Sequence, residues 1–430
     1  MQKSDVIDGR TPSTRYSYFI FALLFLLYMF DYIDRLIIVS LFPFIKAEWG
    51  ISDASCGMLV SAVYWSILIF TFPVSILIDR WSRKKTIGIM ALLWSLATAA
   101  CAFTRNFGQL FAARTAIGIG EAGYAAGGTA MISALFPREK RAGILGFWNA
   151  SIPLGSAIGI AVGGIIAEHF GWRHALGVVA VPGMIVALVF FRVRDYKTIE
   201  LVKSEGSGPG SAKVKMRPRE IAVHFIQSKS LIFTNFGFAA SVFVTTSMMS
   251  WLPSYFQRTE GIPMSQAGTK GGLIMFLAIL GAPLGGYIAD RWYARRPAAR
   301  LLVPAITSVL TAIILFIAFV FFQGRSQYIV LLLVGITAVA FVPSAVAVTQ
   351  DVVHPGLRAM SLSINVIIQH VLGSSLGPIF VGAVSDRYDI VTALTVLPAF
   401  SLIAAVLFFI GSFFYEKDAA RIESVVIEIE

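Results

Sequence analysis

Five ionisable residues interrupt long apolar runs: Asp31, Asp34 and Arg35 in one, Arg114 and Glu121 in another. A carboxyl group removed from water but near a guanidinium can take up or release a proton as its surroundings change. An arginine keeps its charge throughout and can hold an anion through bidentate hydrogen bonds. This set therefore points to proton transfer coupled to anion binding. Asp34, Glu121 and Asp31 are the candidates for the proton, and Arg35 and Arg114 for the anion.

Helical spacing refines the reading. Asp31 and Arg35 are four apart, share a face and can pair. Asp34 is turned about 100° from Arg35 and points to another neighbour. Arg114 and Glu121 share a face but lie about 10 Å apart along it. We therefore expect cross-pairing between the two runs, with Asp34 near Arg114 and Glu121 deeper in a cavity. Static buried ion pairs would be a poor reason to keep five charges, because such pairs add little over apolar packing.

The elements that must position these residues are membrane helices. The chain is 57% hydrophobic and 14% charged, with a mean hydropathy of +0.77. A soluble domain carries about 25% charge. Apolar runs of about 20 residues recur, with expected limits 17–45, 54–78, 86–104, 107–136, 142–170, 173–193, 230–257, 266–289, 301–322, 327–353, 359–385 and 391–414. The expected fold is an all-α membrane protein of twelve transmembrane helices. It divides into a six-helix bundle at 1–193, a linker at 194–229 containing a Ser/Gly-rich stretch, a second bundle at 230–415 and a tail at 416–430. The net charge of +11 reflects basic residues in short loops, not a nucleic-acid surface. Lys and Arg number 26 on the side of both termini against 7 on the other, so both termini are expected in the cytoplasm. The first span lacks a short signal-peptide core and is expected to be retained. Cys56 and Cys101 form no disulfide framework.

The halves repeat weakly. Asp79-Arg80-Trp after the second span matches Asp290-Arg291-Trp after the eighth. Gly164-Ile-Ile-Ala-Glu168 in the fifth span matches Gly382-Ala-Val-Ser-Asp386 in the eleventh. Such parallel repeats suit a transporter whose halves rock about a central site.

The stretch Ser75-Ile-Leu-Ile-Asp79-Arg80-Trp-Ser-Arg83-Lys84-Lys85 resembles the loop signature of the major facilitator superfamily, with Ser75 where that signature has Gly. Asp31-Tyr-Ile-Asp34-Arg35, and Arg114 seven residues before Glu121, resemble both its spinster-like branch and its organic anion–cation symporters; Gly118-Ile-Gly-Glu121-Ala-Gly-Tyr124 and the Ser151–Gly159 stretch are most similar to the spinster-like branch. Position 31 is Asp where the signature has Asn. The resemblance implies that Asp79, Arg80, Arg83, Asp290 and Arg291 form a cytoplasmic gate between the halves. It also implies alternating access in a bacterial inner membrane.

Tyr32, Tyr64, Tyr124, Trp148 and Asn149 fall at the expected cavity level and are candidate substrate contacts. The second half offers only Asn235, Asn365, Gln369 and His370 as intramembrane polar candidates. No zinc spacing, phosphate-cradling loop or catalytic set is present, so neither an enzyme nor a cofactor is expected. The expected protein is a monomeric, proton-coupled secondary transporter of an anionic or lipid-like amphipathic solute. A symporter of a small organic acid such as a sugar acid is the alternative, and a transporter-like receptor is the alternative of another class.

Overall fold

The computed structural model describes residues 14–80, 82–193, 225, 227–354 and 357–423; of residues 72, 75–80, 83, 126, 138, 139, 142, 359, 422 and 423 it describes the backbone alone. Most of the expected linker and the end of the tail lie outside the described residues. Twelve spans are seen among those described. The first half contains α1 (Thr14–Ile37), α2 (Asp53–Arg80), α3 (Arg83–Cys101), α4 (Phe107–Glu121, resuming as Tyr124–Leu135), α5 (Arg138–Asn149 and Ser151–Phe170) and α6 (Trp172–Phe190). The second half contains α7 (Lys229–Glu260), α8 (Met264–Phe276 and Ala278–Tyr293), α9 (Ala299–Phe321), α10 (Gly324–Thr337 and Val342–Asp351), α11 (Arg358–Ile368 and Leu376–Arg387, joined by a π-helical turn at Gln369–Ser375) and α12 (Ile390–Thr395 and Leu397–Glu423).

Among the described residues, nine of these spans are apolar and long enough to cross a membrane on their own. The three that are not are α1, α3 and α4. Charges interrupt α1 at Asp31, Asp34 and Arg35, and basic residues open α3. α4 breaks at Ala122–Gly123, directly after Glu121. That break and the end of α1 differ from the expected continuous spans 107–136 and 17–45. After α1 the chain passes through a 3-10 turn, Ile38–Ser40, into a separate short helix, Phe42–Trp49. Pro43, which cannot donate a backbone hydrogen bond, sits in that helix's first turn, where none is needed.

Within the first half α1 lies against α5, and α4 against α2 and α3. Small residues permit these approaches. A Cβ on Gly155 would come within 2.4 Å of the Met29 carbonyl, and one on Gly118 within 2.4 Å of the Val63 carbonyl. The charged faces of α1 and α4 are thereby held inside the bundle. Between the halves, α2 packs on α11 and α5 on α8. The outer faces of α6 and α9 present Val178, Val181, Ile185 and Leu188, and Ile306, Leu310, Ile313 and Phe316. This is the stripe a lipid-facing helix requires.

Candidate functional site

Asp31, Asp34 and Arg35 are all buried on α1, and Arg114 and Glu121 on α4. Arg35 is the hub. Its Nη2 donates to Asp31 Oδ2 at 3.0 Å and lies 3.3 Å from Oδ1. The same nitrogen is 2.8 Å from Glu121 Oε2, an ion contact without hydrogen-bond alignment. One guanidinium nitrogen thus faces two carboxyl groups from two helices. The expected Asp31–Arg35 pair is present. The bond between α1 and α4 is present too, but Arg35 and Glu121 make it.

Asp34 and Arg114 lie near each other, as expected, but they meet through the Asp34 carbonyl and not through its carboxyl group. Arg114 is fully buried and donates to backbone: Nε to Leu59 O at 3.1 Å, Nη1 to Asp34 O at 3.0 Å and Nη2 to Arg35 O at 2.9 Å. Side-chain spacing could not reveal this, because α1 stops its regular helix at Ile37 and leaves carbonyls of its last turn without intrahelical donors. Arg114 fills that role, so it holds α1, α2 and α4 together and is not free to meet a solute. Both carboxyl oxygens of Asp34 are buried without a hydrogen bond.

Aromatic rings surround the hub. The Arg35 guanidinium lies over the Tyr32 ring at 4.6 Å and the Tyr64 ring at 5.6 Å. Tyr124 and Trp148 turn inward instead, and both donate to Leu24 O on α1, at 2.5 and 3.3 Å. Tyr28, which the sequence did not single out, stacks on Trp148 with ring centres 4.4 Å apart. Asn149 is exposed and donates to Leu145 O of its own helix. Asn235 and Asn365 bond to each other at 2.9 Å.

Of the expected gate residues, Asp79, Arg80 and Arg83 lie where α2 ends and α3 begins, with side chains outside the description. Asp290 accepts from Arg300 at 2.7 Å, Arg300 Nε lies 3.6 Å from Asp351, and Arg291 donates to Tyr287 at 3.2 Å. These contacts stay within the second half.

Cross-half ties are found on the face opposite the termini. Asp53 at the start of α2 accepts two hydrogen bonds from Arg258 on α7, at 2.6 and 2.7 Å, and one from Ser385 on α11 at 2.6 Å. Lys46 also pairs with it. Asp386 on α11 accepts from the backbone of Asp53 and Ala54, at 2.7 and 2.8 Å. Glu168 on α5 accepts from the backbone of Ser265 on α8 at 2.9 Å. The repeat ending in Glu168 and Asp386 was the signal for these ties, but a repeat alone does not say what its acids touch.

Residues 24–378 match the family model of the Major Facilitator Superfamily. The chain belongs to this family, whose members are membrane transporters and not enzymes. Among its relatives are spinster homolog 1 of Xenopus laevis (27% identical, covering 87% of this chain and 74% of that one) and the protein spinster of Drosophila melanogaster (27%, 89% and 64%). The hexuronate transporter of Bacillus subtilis is 27% identical over 63% of this chain; the alignment spans 64% of that protein's length. The fold matches a bacterial homologue of the human lysosomal transporter spinster, solved inward-facing and unoccupied, with a TM-score of 0.83 at 21% identity over 95% and 99% of the two chains. The spinster-like resemblance and the multi-pass membrane reading agree with these relationships.

Proposed function

We propose that the protein is a proton-coupled secondary transporter that moves an anionic organic solute by alternating access. The observation that carries this reading is the hub itself. Asp31 and Glu121 share one nitrogen of Arg35, and Asp34 is buried on the same helix as Asp31, facing Thr98 and interacting electrostatically with Asp31 and Arg114. Three carboxyl groups share the interior with two guanidinium groups; Arg35 alone contacts carboxylates, while Arg114 bonds to backbone carbonyls, and one negative charge is left in excess. Excess negative charge inside a membrane is costly, and protons offset it. An arriving anion competes for Arg35 and displaces a carboxylate, which then gains by taking up a proton. Binding and protonation are thereby linked.

The ties through Asp53, Glu168 and Asp386 support a conformation closed on the face opposite the termini. With the termini in the cytoplasm, as the basic-residue bias suggests, the closed face is the outer one. The aromatic surround of Arg35 favours an amphiphile with an anionic head, in keeping with the spinster relatives. The hexuronate transporter supports a sugar acid as the second reading. Uptake into proteoliposomes under an imposed pH gradient, comparing a lysophospholipid with D-glucuronate, tests both. Transport of neither under a gradient of either sign would overturn the proposal.

A further inference from the structure

The second half has no charged group at the hub, yet one of its side chains reaches it. His370 stands in the π-helical turn Gln369–Ser375 of α11, which packs against α2 of the first half and α7 of the second. A π turn carries an extra residue and re-aims the side chains around it, and such turns occur often at functional sites. Here Gly373 lets the widened turn lie close to α7, where a Cβ would come within 2.7 Å of the Ala239 carbonyl. The His370 ring crosses to the first half and stacks on Tyr64, with centres 5.4 Å apart and planes at 29°. The other neighbour of Tyr64 is Arg35, at 5.6 Å from the ring centre. Arg35 acts electrostatically on His370. Nδ1 of His370 is turned to Ser374 Oγ at 3.4 Å. Among the described residues Nε2 has no hydrogen-bond partner.

We infer that His370 is the second half's contact with the solute: its Nε2 donates a hydrogen bond to the oxyacid group that Arg35 holds, beside the Tyr64 ring that both side chains face. The recognised chemistry is a carboxylate or phosphate oxygen, from a sugar acid or from a lipid headgroup. The inference rests on the proposed transport of an anionic solute. A solute held by Arg35 and His370 together touches both halves, and α11 is one of the helices on which the halves meet.

The test is ligand-induced thermal stabilisation of the full-length detergent-purified protein, titrated with D-glucuronate and, separately, with lysophosphatidylglycerol. Arg35→Ala controls for binding at the hub. A glutamine amide can mimic Nε2 and a phenylalanine ring can mimic the stack, so the two variants separate donation from packing. The expected result is Arg35-dependent binding of one probe, which identifies the source of the oxyacid. His370→Phe then weakens it about tenfold, while His370→Gln stays within about threefold of the wild type. Binding kept in His370→Phe and lost in His370→Gln would overturn the inference in favour of packing. Binding that needs Arg35 but is unchanged in both variants would overturn it and leave the transport proposal standing. Failure of both probes to bind the wild type would overturn both.

Discussion

Glu168 and Asp386 do the same job in opposite halves. Each is an acid near the end of a helix that accepts the backbone N–H of the second residue of a helix across the interface, Ser265 for Glu168 and Ala54 for Asp386. Each follows a glycine four residues earlier that lets the backbones meet. A Cβ on Gly164 would lie 2.5 Å from the Met264 carbonyl, and one on Gly382 2.6 Å from that of Asp53. The unpaired N–H groups and the dipole of a helix N-terminus favour a carboxylate there. In the proposed alternating-access cycle the two ties are expected to break together when this face opens.

Removing either acid should therefore shift the conformational equilibrium without unfolding the protein. An N-terminal cap of this kind contributes about 1 kcal/mol, or roughly a fivefold change in population. In Asp386→Asn and Glu168→Gln, double electron–electron resonance between spin labels at Phe103 and Tyr388, both exposed, should show a larger population at long distance. Unchanged distance distributions in both variants would reject the role of these caps.

Glycines inside one half should behave differently. A Cβ at Gly285 would meet the Ala340 carbonyl at 1.9 Å, within the second half. A Cβ at Gly57 would meet that of Pro378 at 2.5 Å, across the halves. Overpacking costs about 1–3 kcal/mol in either place. Gly285→Ala should lower the melting temperature. Gly57→Ala should keep it but raise the labelling of the native Cys56, buried beside it, by a membrane-impermeant maleimide. Equal loss of melting temperature in both would show that the α2–α11 contact is permanent.

The fold was legible because hydropathy and basic-loop bias are summed over many residues. The site was legible in its members but not in its partners. Spacing along one helix gave Asp31–Arg35, since both residues are on α1. It could not give Arg35–Glu121 or the backbone role of Arg114, because these depend on the rotation of α4 relative to α1 and on where α1 stops being helical. Tyr124 and Trp148 sat at the expected level, but both are drawn to the one carbonyl of Leu24. The expected gate on the face of the termini came from a motif, whereas half of the ties on the opposite face are made by backbone N–H groups, which carry no residue identity.

The two arginines should fail in different ways. Lysine can place one nitrogen but cannot span carbonyls on α1 and α2. Arg114→Lys leaves buried carbonyls unpaired and should cost at least about 2 kcal/mol, seen as a lower melting temperature and a poor yield. Arg35→Lys keeps a cation near both carboxyl groups. It should fold but bind solute more weakly, with a higher KM in the uptake assay. A stable Arg114→Lys protein with only a raised KM would return Arg114 to the substrate site.

Glu48, in the short helix after α1, accepts hydrogen bonds from the Arg173 guanidinium at 2.7 Å and the Trp172 indole at 2.8 Å. These bonds hold its pKa down at about 2. A lowered carboxyl pKa stabilises above the ordinary carboxylate range, and that contribution is lost as pH falls towards 2. The contact is therefore intact throughout pH 5–8. Glu48→Gln should leave the pH profile of uptake in that window unchanged. A displaced profile would mean that this contact, and not the hub, contributes to the pH response.

Asp34 carries the most direct test of coupling. It is buried, no guanidinium donates to its carboxyl group, and the Arg35 cation is already shared by two other carboxyl groups. Asparagine keeps its size and removes the titration. A one-unit pH gradient is worth about 1.4 kcal/mol per proton, or about tenfold solute accumulation. Asp34→Asn should lose that accumulation yet still exchange labelled for unlabelled solute across the membrane, because exchange needs binding and rocking but no net proton movement. Glu121→Gln should also disturb exchange, because it removes a direct contact of Arg35. If Asp34→Asn accumulates solute like the wild type, the proton is carried elsewhere, and the pair of carboxyl groups on Arg35 would have to carry it without Asp34.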